Sequence, residues 1–144
     1  MNTLLASEQP GGVKLISIIN GIAAFLHLLF WIFAFIRLPS IASFADTAAR
    51  MNLATTYGFG IADMIWSVPF LLSGSILLRK NKFSGWIGAQ FANVLYWYSF
   101  TVIIIRDGSA GALSPGTILF LPFAIFAFWA AYYLWKVRST FFQL

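Results

Sequence analysis

Residues 57–82 read YGFGIADMIWSVPFLLSGSILLRKNK, and the run from Tyr57 to Leu78 is the first clue to the architecture. At about 1.5 Å of rise per residue it is long enough to cross a hydrocarbon core about 30 Å thick. Arg79, Lys80 and Lys82 close it abruptly. Inside it sit Asp63 and Pro69. A carboxylate at the centre of a span costs about 2.5–3.5 kcal/mol on insertion scales, whereas each Leu, Ile, Val or Phe returns about 0.3–0.6 kcal/mol. A helix that keeps Asp63 must therefore turn it towards protein. Gly60, Asp63, Ser67, Leu71 and Gly74 follow one helical stripe of mainly small or polar residues, and Ile65, Leu72 and Ile76 lie off it.

Three more stretches have the same character: Lys14 to Arg37, Phe83 to Ile105 and Ser114 to Trp135. Over the 144 residues, 60% are hydrophobic and 9% charged, and the mean hydropathy is +0.85. A water-soluble core cannot hide that much apolar surface. Met1–Gly12 has no basic n-region, so the first apolar run is expected to be retained and not cleaved as a signal peptide. The expected fold is an all-α integral membrane domain, a single four-transmembrane-helix bundle over residues 1–144. Its spans are predicted at 14–37, 57–78, 83–105 and 114–135.

Four spans place successive connections on alternate sides. One side receives Lys14, Arg79, Lys80, Lys82, Lys136 and Arg138; the other receives only Arg37, Arg50 and Arg106, opposed by Asp46 and Asp107. The positive-inside rule then predicts both termini in the cytoplasm, in a plasma or inner membrane. Tyr132, Tyr133 and Trp135 suit an aromatic belt at that surface. In the long outer connection, residues 38–56, Ile41, Phe44, Ala48 and Met51 recur at near-helical spacing, which predicts a short helix lying on the outer interface. The net charge of +5 is spread over helix ends and forms no basic face, so no nucleic-acid partner is expected.

Ionisable and amide groups inside spans are where function is sought first. Asn20, Ala24, His27, Trp31 and Ala34 form a stripe on the first span, and Trp86, Gln90, Asn93 and Trp97, with Tyr96 beside them, form one on the third. Counting from the cytoplasmic ends places His27, Asp63, Trp66 and Tyr96 at about 18–22 Å and Asn93 near 14 Å. His27, Asp63, Trp66, Asn93 and Tyr96 are therefore the candidate ligand-binding residues, with His27 and Asp63 close enough to pair. Asn20 and Gln90 should form a shallower pair near 9 Å. Ser84, Gly88 and Ala92, and Ala124, Ala127 and Ala131, are small-residue seams suited to close helix packing, the former open also to use as a dimer face.

Much chemistry is excluded. With no cysteine there is no disulfide, thiolate nucleophile or Cys-based metal site. One His and one interior Asp are too few for zinc or di-iron, and no phosphate loop, GxSxG elbow or HExxH helix occurs, so neither metal nor cofactor is expected. The leading expectation is a polar pocket that binds or transports a small molecule, ion or proton, as a homodimer or larger assembly if it transports. The alternatives are a membrane enzyme using Asp63 and His27 as acid and base on a lipophilic substrate, and a non-catalytic subunit or assembly factor.

Overall fold

The computed structural model describes residues 9–142, apart from the side chain of residue 115. Among these residues it is helical throughout, without strands. Helix α1 (Gly11–Arg37) stops where Pro39 disfavours a helical conformation for Leu38. Helix α2 (Thr47–Ala62) runs through a π turn, Asp63–Ser67, directly into α3 (Val68–Ile76). A 3-10 turn, Leu78–Lys80, and Asn81 in the left-handed region (φ 50°) reverse the chain into α4 (Phe83–Ala110). Gly111, with φ +67°, ends α4. Helix α5 (Pro115–Lys136) begins behind Ser114, continues through Pro122 and is followed by the 3-10 turn Arg138–Thr140.

Four helices are long and apolar enough to cross a membrane: Gly11–Ser43, Thr47–Lys80, Phe83–Ala110 and Gly116–Lys136. Two boundaries differ from the sequence expectation. Residues 47–56 form no separate helix but are the first turns of α2, and only Ile41–Ser43 makes a short 3-10 turn of its own. The reason lies at Asp46, whose carboxylate accepts the Ala49 N–H at 2.8 Å and caps the helix, with no glycine or proline from Thr47 to Tyr57 to break it. Helix α4 likewise runs past Ile105 to Ala110, because Arg106 and Asp107 engage the start of α5 instead of opening a loop.

The helices pack in chain order, α1 on α3, α3 on α4 and α4 on α5. Gly12 of α1 lies against the Tyr133 ring of α5 and closes the bundle at the end where the described chain starts and stops, here the terminal end. A buried cluster there joins Val13, Ile16, Leu78, Ala89, Ala130 and Leu134, and a second one nearer the far end joins Ala23, Ala24, Leu71, Ala92, Tyr96 and Ala127. The small residues serve this internal packing. Gly85 sits on the Leu77–Leu78 backbone and Gly88 on Ser73 and Gly74, with Gly85 and not the exposed Ser84 continuing the seam. The opposite faces are apolar and open: Phe25, Phe30, Phe33, Ile36, Ile61, Ile65, Ile105, Ile118, Ile125 and Phe128 are all more than half exposed. Apolar surface on this scale marks a membrane or partner surface.

Candidate functional site

The site starts from the π turn. Pro69 has no N–H to give to the helix ladder, and its ring crowds the preceding turn. The widened turn, in which Val68 N–H bonds to the Asp63 carbonyl, accommodates this and sets Ser67 beneath the Asp63 side chain. Ser67 Oγ donates to Asp63 Oδ1 at 3.0 Å. From α1, His27 Nε2 meets Asp63 Oδ2 at 3.0 Å, and Trp31 Nε1 donates to the same oxygen at 2.9 Å. His27 and Trp31 are four residues apart and so share a face of α1. Gly60, one turn before Asp63, lies against the rings of Trp31 and Phe35 and lets the two helices approach.

Two donors, Trp31 and Ser67, with the His27 ring nitrogen on the same carboxylate, suit its ionised, acceptor-only form. With His27 protonated on both nitrogens the pair is neutral as a unit, and neutrality is what a low-dielectric setting favours. The His27 and Asp63 side chains remain 12% and 21% exposed, so the pair is enclosed without being sealed.

Beside the pair is a cavity of about 10 Å³ lined by His27, Ser67, Leu71, Ala92, Leu95, Tyr96, Ser99 and Phe120. That volume is about one water molecule by the same measure. The Tyr96 hydroxyl is buried with no hydrogen-bond partner among the described residues, and the Phe120 ring stands edge-on to the His27 imidazole at 6.0 Å. The arrangement is therefore a bonded imidazole–carboxylate pair next to a water-sized space. A drug-sized organic ligand needs several hundred Å³ and has no room here.

Of the five residues selected from sequence, His27, Asp63 and Tyr96 come together. Trp66 does not: it is 58% exposed and stacks outward on Phe70, which in turn stacks on Phe91. The π turn is the physical reason, since it keeps Ser67 under Asp63 and turns Trp66 away. Asn93 is buried but lies off the cavity, where its Nδ2 donates to Gln90 Oε1 at 3.4 Å. Gln90 in turn donates to the Ala131 carbonyl at 3.3 Å. The expected pair of Asn20 and Gln90 is thus not made, and the Asn20 amide is buried without a partner among the described residues. Trp31 and Ser67 were not selected as site residues, although their four-residue spacing from His27 and Asp63 is legible in the sequence.

A second polar cluster was also missed. At the far end Asp107 is buried and accepts from the Ser114 N–H and the Thr117 hydroxyl, while Arg106 reaches its Oδ1 at 2.8 Å and Ser114 Oγ at 2.8 Å. This cluster ties α4 to the first turn of α5. No known protein family, curated protein or solved structure matches the chain.

Proposed function

We propose that this chain is an integral membrane protein of a plasma or inner membrane, with both termini cytoplasmic, and that the His27–Asp63 pair is an intramembrane proton-binding site. The membrane placement is supported by the four apolar helices, and the orientation by the excess of Lys and Arg at the terminal end. The observation that carries the proton reading is the bonded pair itself, 3.0 Å from nitrogen to oxygen and adjacent to a cavity the size of one water. A proton needs no larger space, and His is the side chain whose charge changes nearest neutral pH. The same small volume argues against an enzyme with an organic substrate inside the bundle, and against a transporter of small molecules through a single copy.

Infrared difference spectra recorded across a pH titration test this reading. A carboxyl or imidazole band that changes with pH in the native protein and is absent from both Asp63→Asn and His27→Gln is the expected result. Spectra of the two variants identical to the native spectrum refute it. Proteoliposomes holding a pH-sensitive dye then show whether the bound proton also crosses, with flux lost in Asp63→Asn if it does.

A second reading has one observation in its favour: the interior is almost filled. In that reading the polar groups hold the helices together, and the chain is a non-catalytic subunit of a larger membrane complex. It predicts that Asp63→Asn and His27→Gln change stability and leave no pH-dependent band to lose.

A further inference from the structure

At the terminal end the Ser17 hydroxyl of α1 is fully buried and used twice. It donates to the Ser75 carbonyl and accepts from Arg79 Nε, the latter at 2.8 Å. Ser75 and Arg79 are one turn apart on the second span, so these two bonds fix the Arg79 guanidinium against α1. With Nε engaged, the two terminal nitrogens still carry four N–H donors in a planar fork, the geometry that matches phosphate oxygens. No carboxylate among the described residues lies within ion-pair distance of Arg79. Lys14 precedes Ser17 by three residues, which brings it to the same side of α1 one turn nearer the helix end, and it is exposed. Directly beyond the seam, Ile18 and Ile76 expose apolar surface.

A fixed cationic fork where the apolar helix surface ends, with a second cation beside it and bare hydrocarbon surface next to it, complements an anionic headgroup with acyl chains attached. We infer that the surface where Arg79 is held against α1 at the terminal end binds the phosphodiester headgroup of an anionic phospholipid, gripped by Arg79 and Lys14. This inference rests on the membrane placement proposed above and is independent of the proton site.

The test uses the full chain in a neutral detergent and follows its thermal unfolding midpoint against added phosphatidylglycerol, phosphatidylcholine or inorganic phosphate. Phosphatidylglycerol raises the midpoint and the other two do not. Arg79→Gln weakens the apparent affinity for phosphatidylglycerol about fivefold or more, as loss of one well-placed charge implies, and Lys136→Gln leaves it within about twofold. Equal weakening by the two variants means an unspecific basic collar and overturns the site. A midpoint shift reproduced by inorganic phosphate identifies a free-anion site and overturns the lipid. If Arg79→Gln does not fold, Ser17→Ala takes its place: it keeps the charge but frees the fork, and an unchanged affinity in that variant refutes the inference. Alkaline carbonate extraction of the chain from membranes reports separately on the placement, so failure there is distinguishable from failure of the lipid site.

Discussion

Asp63→Leu should move two measurements in opposite directions. In the folded bundle Trp31 and Ser67 donate to Asp63 at 2.9 Å and 3.0 Å, and His27 Nε2 lies 3.0 Å from it; leucine leaves all three without their partner. Polar contacts within a membrane average about 0.6 kcal/mol each, so the folded state loses about 2 kcal/mol. Insertion of the isolated second span responds the other way. Removing a central carboxylate relieves about 2.5–3.5 kcal/mol and adding leucine contributes about 0.3–0.6 kcal/mol, a gain of about 3–4 kcal/mol. Unfolding of the bundle is measured by titrating a denaturing detergent into mixed micelles, and insertion by glycosylation mapping of the segment in microsomes. Asp63→Asn separates charge from geometry: its carboxamide oxygen still accepts from Trp31 and its span inserts more readily, so the bundle loses less than about 1 kcal/mol while the proton band disappears. If Asp63→Leu leaves the unfolding free energy unchanged or raises it, the convergence of three side chains on Asp63 contributes nothing and the reasoning about the site is wrong.

Gly85→Ala forces a methyl group onto the Leu77–Leu78 backbone and should lower the unfolding free energy in mixed micelles by about 1–3 kcal/mol. Gly58→Ala, which meets nothing within 4 Å, should raise it by about 0.5–1 kcal/mol through helix propensity. Asp107→Ala frees the Ser114 N–H and the Thr117 hydroxyl; hydrogen exchange of the Ser114 and Thr117 amides should accelerate, with the α4 interior unaffected. Trp66→Leu should leave unfolding within about 0.5 kcal/mol of native, because the indole stands outside the bundle, whereas Trp31→Phe removes a donor to Asp63 and should cost about 1 kcal/mol in the same titration. Tyr96→Phe reads the contents of the cavity: a water on the hydroxyl makes the variant less stable by about 1 kcal/mol, and a dry cavity makes it more stable by relieving a buried unpaired group.

The helix count and most inward-facing residues were legible because apolar periodicity and the expense of buried polar groups both act along the chain. Gly60, Ser67, Leu71 and Gly74 are buried as the stripe through Asp63 requires, while Ile65, Leu72 and Ile76 are exposed. The distance between His27 and Asp63 followed from equal depths on neighbouring helices. What misled was the assumption of uniform rise and turn. A π turn at Asp63–Ser67 changes which neighbours of Asp63 share its face, so Trp66, which uniform helical spacing places inward, faces outward. Gln90 was paired by depth with Asn20, yet its partners are the Ala131 carbonyl and Asn93, because packing of α4 on α5 and not depth alone decides whom an amide meets. A third span ending at Ile105 leaves Asp107 in the connection after it, with nothing in the sequence to mark it as buried. Its role depends on Ser114 and Thr117, groups whose approach is set only by the turn that follows α4.

These particulars bear on why so small a bundle keeps a carboxylate at its centre. If Asp63 served only to hold helices together, an amide could keep the contacts to His27 and Trp31 on its oxygen and turn its NH2 towards the Ser67 hydroxyl as donor, with a much smaller insertion penalty. A carboxylate is distinguished by its charge, and a charge at this depth calls for an opposite one. His27 supplies it only when it carries a second proton, so the neutral state of the pair is the state with that proton bound. Trp31 and Ser67 hold the carboxylate in place from either side, and neither can supply a compensating positive charge. The choice between a proton site and packing glue thus reduces to whether the charge at position 63 matters when its hydrogen bonds are preserved, which is the comparison between asparagine and aspartate there.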